Sequence, residues 1–98
     1  MVELIWSPRA LKDMELIFEY IKQDSTEMAR VFVNDLIQTA TAIPEFPYSG
    51  RLVSEFNRDN IREKIYQSYR IIYRIRGQEV ELITFLHQSR RLIRKELK

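Results

Sequence analysis

The fold of this protein is decided by the segment that reads YRIIYRIRGQEVELITFL from residue 69 to residue 86. Two runs rich in β-branched and aromatic residues, 69–76 and 79–86, lie on either side of the pair Gly77-Gln78. Such a pair between two strand-like runs predicts an antiparallel hairpin. A third run of the same kind, 61–66, comes just before. Together the three runs predict an antiparallel meander.

Alternation along the middle run separates its two faces, because successive side chains of a strand point to opposite sides. One face carries the aromatic and aliphatic residues Tyr69, Ile71, Tyr73 and Ile75, and we expect it to contact the core. Aligning the first run with this face requires an odd loop of three or five residues around Gln67. The open face is then predicted to hold Arg62, Lys64, Arg70, Ile72, Arg74, Glu81, Ile83, Phe85 and His87, with Arg76 at its rim. The core face receives Ile61, Glu63, Ile65, Val80, Leu82, Thr84 and Leu86.

The N-terminal half predicts one strand and two helices. Residues 2–6 alternate as a strand does, and Ser7-Pro8 is typical of a helix start. Asp24 with Glu27 matches a capping box for a second helix, which Pro44 ends. Apolar residues recur at helical spacing in both segments: Leu11, Met14, Phe18 and Ile21, then Ala29, Phe32, Val33, Leu36, Ala40 and Ile43.

The remaining segments are a loop and a terminal helix. Residues 44–60 read as a long irregular connection, and residues 87–98 as a basic helix. The whole chain, residues 1–98, is predicted to form one domain of the α+β class in the order β-α-α-β-β-β-α. A helical hairpin would pack on a mainly antiparallel four-stranded sheet.

Composition excludes several function classes. The chain has no cysteine, one histidine and two distant glycines, so thiol chemistry, a transition-metal site and a phosphate-binding glycine loop are not expected. No cofactor is expected either. No apolar run is long enough for a membrane span, and we expect a soluble, cytoplasmic protein without membrane contact. The formal charge of +2 divides into −4 over residues 1–50 and +6 over residues 51–98.

The predicted open face indicates an anionic partner, since guanidinium groups match phosphate oxygens and a phenyl ring can stack on a base. His87 is a candidate general acid, and Glu55 in the loop could be the base. The alternative is structural: Arg74 opposite Glu81 would be a solvated pair, and a single histidine at a strand end is often a cap or packing residue.

The ordered set of local motifs resembles the RelE/ParE superfamily of toxins from bacterial type II toxin–antitoxin systems. The motifs are Trp6-Ser7-Pro8 with Ala10, Ile43-Pro44, Pro47, Ser49-Gly50-Arg51, Arg62-Glu63, the strand Tyr69-Arg70-Ile71-Ile72-Tyr73-Arg74, and His87 with Arg90. The Gly-Arg loop, the Arg-Glu pair, the Tyr-Arg-Ile-Ile-Tyr strand and the His-x-x-Arg ending are more similar to the ParE branch than to the ribosome-dependent RelE nucleases.

The resemblance implies three possible functions. A ParE-like toxin would poison DNA gyrase, and target contacts would come from Arg62, Lys64, Arg70, Arg74, Phe85 and Arg90. A RelE-like toxin would instead cleave mRNA on the ribosome through 2′-hydroxyl attack, with Arg70, Arg74, His87 and Glu55 as catalytic candidates. A non-toxic binding module with the same fold is the third possibility.

Either toxin branch implies a cognate antitoxin whose disordered segment folds along exposed apolar grooves of the toxin. The basic C-terminal segment offers a candidate contact through Arg91, Leu92 and Arg94. The alternative is that Leu92 packs against the protein's own helices and leaves a solvated basic stripe.

Overall fold

The computed structural model describes residues 2–97 and confirms the α+β class. Helices α1 and α2 pack on one face of a five-stranded sheet with the order β1-β5-β4-β3-β2. Strand β1 runs parallel to β5, and the other neighbouring strands are antiparallel. The elements are β1 Glu3–Trp6, α1 Pro8–Lys22, α2 Thr26–Thr41, β2 Arg51–Leu52, β3 Ile61–Tyr66, β4 Tyr69–Arg76 and β5 Glu79–His87. No helix within residues 2–97 is long and apolar enough to cross a membrane.

Serine caps begin both helices. Ser7 accepts a hydrogen bond from the Ala10 amide, as the sequence predicts for α1, and its hydroxyl also donates to the Ile83 carbonyl. The predicted cap of α2 is wrong by one residue, because Ser25, not Asp24, accepts from the Met28 amide. The Ser7 cap fixes where the chain passes from β1 into α1, and the Ser25 cap fixes where it turns from α1 into α2.

One carboxylate from α1 reaches the edge of β5. Strand β1 ends at Trp6, opposite Leu82, so β5 continues beyond its parallel neighbour. There the Asp13 carboxylate accepts the Phe85 amide at 3.1 Å and the Thr84 hydroxyl. Asp13 thus satisfies backbone and side-chain donors that a longer β1 would otherwise have covered.

The sheet is covered on both faces, contrary to the expected open face. The larger core lies between the helices and the sheet and includes Met14, Leu36, Ile71, Tyr73 and Leu82. A second cluster fills the opposite face and consists of Val53, Ile61, Ile72, Ile83, Leu86 and Leu92, with Phe56 packed against it. The loop before β3 and the segment after β5 supply the covering residues of this second cluster.

These covering segments also differ from their predicted structure. The connection 44–60 contains two short 3₁₀ turns, Ile43–Glu45 and Pro47–Ser49, and the added edge strand β2. Instead of a helix over 87–98, the C-terminal segment contains a short 3₁₀ turn at Arg94–Leu97. Lys98 lies outside the described residues.

The β3–β4 hairpin has a two-residue turn, so the predicted odd loop is wrong. Tyr66 pairs with Tyr69, and Gln67 adopts a left-handed φ of 51° that allows the tight turn. This register aligns Ile61, Glu63 and Ile65 with Arg74, Ile72 and Arg70. The expected positions of Arg62 and Lys64 on the face of Arg70 are therefore wrong as well, because both lie on the other side of β3.

A β-bulge reverses the predicted faces at the end of β5. Val80 and Leu82 lie opposite Ile75 and Tyr73 as predicted, but the register shifts between Ile72 and Tyr73. After this shift Phe85 pairs with Ile71, Leu86 with Arg70 and His87 with Tyr69. One extra residue on the bulged strand turns the following side chains over. Phe85 thus enters the larger core and Leu86 the second cluster.

Candidate functional site

A buried ion-pair cluster occupies the covered face, and Arg70 is its centre. Its side chain is 9% exposed, its Nε donates to Glu63 at 2.6 Å, and its two Nη atoms donate to Glu55 at 2.7 and 2.8 Å. Arg51 approaches from the edge strand and donates its Nε to the second Glu63 oxygen at 2.6 Å. The expectation that Arg70 lies exposed is therefore wrong, since opposing carboxylates let a guanidinium be buried.

The two partners hold each other ionised. Hydrogen bonds from Arg70 lower the pKa of Glu55 from 4.5 to about 2, against the opposing effect of burial. Hydrogen bonding to Glu55, together with Glu63, raises the pKa of Arg70. A carboxyl group with so low a pKa is a weak proton acceptor at neutral pH, whereas a general base works best with a pKa near the operating pH. Glu55 therefore acts here as an anchor for Arg70.

The cluster also fastens the C-terminal segment to the sheet. The Leu92 amide donates to Glu55 at 2.9 Å, and Arg70 donates to the Arg90 carbonyl at 3.2 Å. Leu92 itself is only 3% exposed and belongs to the second hydrophobic cluster. Its side chain is thus packed inside the protein, against the sheet and not the helices, and it is not a free antitoxin contact. Arg91 and Arg94 remain exposed.

The other predicted cations are engaged in local contacts. Arg62 donates to the Asp59 carboxylate and to three loop carbonyls, and its guanidinium lies 5.2 Å from the centre of the Tyr48 ring. Lys64 donates to the Ser49 hydroxyl at 3.1 Å. Arg74 lies opposite Glu81 with a nitrogen–oxygen distance of 3.4 Å, which is the cross-strand pair that the sequence predicts as the alternative.

Phe85 and His87 have different environments. Phe85 is buried and stacks on Trp6 with ring centroids 5.4 Å apart, so its expected exposure is wrong. His87 is exposed, contacts the Tyr69 ring edge-on at 5.4 Å and shares a hydrogen bond with Ser89. Burial, followed by the effect of nearby Tyr20, raises the pKa of Tyr69, which keeps its phenol protonated. A cavity of about 190 Å³ is lined here by His87, Tyr69, Tyr20, Leu16, Asp13 and Arg90.

A polar cavity of about 460 Å³ opens above the ion-pair cluster. Its floor is the buried cluster of Glu55, Glu63 and Arg70, and exposed Arg90 and Arg91 contribute to its wall. Arg51 lines the same cavity with a side chain that is 68% exposed. Arg70 and Arg51 together balance the two carboxylates of the floor, and Arg90 and Arg91 make the rim cationic.

An apolar groove of about 700 Å³ follows the helical hairpin on the opposite side of the molecule. Its lining residues come from β1, α1 and α2: Trp6, Leu11, Met14, Phe18 and Ile37, with Glu15 and Glu19. We call it the hairpin groove. Leu11 and Phe18 line it because the face of α1 that packs on the sheet is centred on Ala10, Met14 and Ile17.

Comparison with known proteins identifies the family. The family model for the ParE toxin of the type II toxin–antitoxin system, parDE, matches residues 4–92. The chain belongs to this ParE toxin family. Toxin RelE2 of Caulobacter vibrioides is 29% identical to this ParE-family chain over 90 residues, which cover 92% of the chain and 99% of that toxin.

Two solved structures share the ParE-family fold. The chromosomal ParDE TA system from P. aeruginosa aligns with a TM-score of 0.75 at 18% identity, over 89% of this chain and 96% of that chain. The YoeB dimer from Staphylococcus aureus aligns with a TM-score of 0.50 at 15% identity, over 88% of this chain and 95% of that one. At these identities the likeness concerns the fold.

The site of this ParE-family protein includes residues that the sequence did not predict. The sequence places Glu63 on the helix side of the sheet and Arg51 only within a motif, yet both complete the Arg70 cluster. One feature of the sequence did indicate this burial: Arg70 and Ile72 lie on the same face of one strand. Such a face can be buried when a carboxylate pairs with the arginine. Glu63 was the available carboxylate.

Proposed function

We propose that this ParE-family protein is a growth-inhibiting toxin that acts in the cytoplasm by poisoning DNA gyrase and is neutralised by a cognate antitoxin. The match of the ParE toxin model over residues 4–92 supports the branch. The arrangement around Arg70 is the observation that carries the argument against an enzyme, since four of its five N–H groups are spent on Glu55, Glu63 and a backbone carbonyl.

Because of those contacts, neither Arg70 nor Glu55 is available for the chemistry of a nuclease. Stabilising a phosphorane needs donors aimed at the reacting phosphate, and Arg70 is aimed at two carboxylates instead. Glu55 is bound on both oxygens and has a pKa of about 2. A toxin that blocks its target by binding requires neither group at a reacting centre.

The test is a supercoiling assay with purified gyrase, relaxed plasmid and increasing amounts of the protein. We expect supercoiling to stop or cleaved plasmid to accumulate at stoichiometric amounts. Relaxation of the supercoiled form of the plasmid by a type I topoisomerase serves as the control, because a basic protein that merely coats DNA would inhibit both enzymes. Unchanged supercoiling at a tenfold excess over gyrase would contradict gyrase as the target.

The alternative is ribosome-dependent mRNA cleavage, and one observation favours it: exposed His87 and Arg90 line the same small cavity as two tyrosines. His87 could then protonate a leaving oxygen. Message on translating ribosomes should be cut by the protein and spared by His87→Ala, while the neighbouring exposed Gln88→Ala remains active. Intact message with the unmodified protein would eliminate this alternative.

The antitoxin is proposed to use two surfaces of the toxin. Its apolar side chains would fill the hairpin groove, where Leu11 is exposed. An acidic part of it would approach the exposed cations Arg90, Arg91 and Arg94, gaining association rate and specificity from opposite charge. A disordered segment suits both surfaces because it can follow an extended path over a folded protein.

A further inference from the structure

A short loop before and within β2 presents large apolar side chains to solvent. Phe46 is 72% exposed, Tyr48 54% and Leu52 45%. Leu52 of the edge strand β2 pairs with Arg62 of β3, and the Arg62 guanidinium lies over the Tyr48 ring, so Leu52, Arg62 and Tyr48 are neighbours. We call residues 46–52 the aromatic loop.

The aromatic loop is braced from beneath by two side chains of the sheet. The Tyr73 hydroxyl donates to the Pro47 carbonyl at 2.6 Å, and Arg62 donates to the Tyr48 and Gly50 carbonyls at 3.3 and 3.1 Å. A Cβ atom on Gly50 would lie 2.2 Å from the Tyr73 hydroxyl, so only glycine permits this approach. The loop conformation is thus fixed by the sheet while its aromatic side chains stay exposed.

Because the backbone of this loop is already ordered, less conformational entropy is lost when its aromatic rings bind a partner. Tyrosine is enriched among the residues that dominate binding energy at interfaces, and aromatic side chains in general are enriched in interface cores. Single exposed apolar residues are common, whereas this one braced loop exposes three large apolar side chains within seven positions.

We propose that the aromatic loop docks into an apolar, acid-rimmed pocket on a folded protein, and that this protein is the target whose inhibition stops growth. The identification of the occupant as the target rests on the proposed toxin function. The loop exposes large side chains on a braced backbone, and such side chains fit a concave site of a folded partner better than a disordered segment, which binds along a groove.

The charges in and beside the loop favour a protein over a nucleic acid. Arg51, the cation among residues 46–52, is paired with the buried Glu63 carboxylate. Arg62 uses four of its five N–H groups on Asp59 and loop carbonyls, which leaves little for a phosphate backbone. Lys64 donates to the neutral Ser49 hydroxyl, and no carboxylate among residues 2–97 pairs with it. One uncompensated ammonium beside an apolar patch fits a carboxylate at the rim of a protein pocket.

The experiment compares Phe46→Ala with Met28→Ala. Met28 is a similarly exposed apolar residue, 65% accessible, at the start of α2 and outside the loop. Both variants are expressed from a titratable promoter without antitoxin, and the amount of protein that halves the growth rate is measured. We expect Phe46→Ala to require at least about tenfold more protein and Met28→Ala to match the unmodified toxin. Thermal midpoints of the purified proteins should agree, because both positions are exposed.

Four outcomes would overturn the proposal. They are full potency of Phe46→Ala, an equal loss in Met28→Ala, absence of growth arrest with the unmodified protein, or a loss in Phe46→Ala of binding to a single-stranded oligonucleotide. Sedimentation adds a fifth, because a dimer that dissociates in Phe46→Ala would make a second copy the occupant. If the unmodified protein arrests growth but leaves gyrase untouched, the gyrase proposal fails while the comparison at Phe46 still decides the role of the loop.

Discussion

Replacing Glu55 with glutamine removes one charge from the buried cluster with little change of shape. Its pKa is lowered from 4.5 to about 2, and at about 1.4 kcal/mol for each unit this corresponds to about 3 kcal/mol of stabilisation at neutral pH. The side chain is only 6% exposed, so solvent screening reduces this figure little. We therefore expect Glu55→Gln to lower the free energy of unfolding by about 3 kcal/mol at pH 7.

The lowered pKa of Glu55 determines how its contribution to stability changes with pH. Folding lowers the pKa of Glu55, so the stabilisation is complete above a pH of about 4.5 and is lost as the pH falls toward 2. Urea unfolding of both proteins is measured at pH 7, 5, 4 and 3. The difference between their free energies of unfolding should be the same at pH 7 and pH 5 and smaller at pH 4 and pH 3. Subtracting the two free energies of unfolding at each pH cancels the contribution of the carboxylates that both proteins contain.

Glu15→Gln is the matched control. Glu15 lies on the exposed face of α1 with Lys12 at 3.6 Å, and exposed pairs contribute little. We expect it to change the free energy of unfolding by less than about 1 kcal/mol. A Glu55→Gln protein as stable as the unmodified one, or a gap that does not change between pH 5 and pH 3, would refute the assignment of Glu55 as an ionised anchor.

Three further outcomes follow from the same structure. Leu92→Ala should cost about 2–5 kcal/mol in urea unfolding, since it leaves a cavity in the second cluster, and a loss below 1 kcal/mol would show that the segment is not packed there. Gly50→Ala should destabilise by about 1–3 kcal/mol because its Cβ would collide with the Tyr73 hydroxyl, and Tyr73→Phe in the same chain should recover part of the loss. Arg91→Glu with Arg94→Glu should weaken antitoxin binding and reduce its salt dependence in a titration, while an unchanged salt slope would remove these cations from the interface.

Local signals predicted the elements well. The bounds of β3 and β4 agree with the strand-like runs, Ser7 caps α1 as expected, and Gly77 adopts the positive φ of 58° that its hairpin turn requires. Each of these depends on a few adjacent residues, and that is the range over which propensity and turn chemistry act.

The faces of the sheet were predicted less well, for two physical reasons. The odd loop followed from the assumption that arginine must face solvent, but Glu55 and Glu63 allow Arg70 to be buried. The bulge near Ile83 has no local signature, since it is set by how β5 fits between β1 and β4. Consequently Phe85 was expected outside and is inside, and no pattern within one strand could have revealed it.

The Asp13 carboxylate opposes self-association of this protein through the edge of its sheet. Beyond Trp6, the edge of β5 would otherwise be an unpaired strand margin, which is a template for another chain to add to. Asp13 occupies that margin by accepting the Phe85 amide, and it places a negative charge where an incoming strand would need to bring its own carbonyl groups. A side chain from a helix thus gives the sheet protection against aggregation that β1 is too short to provide.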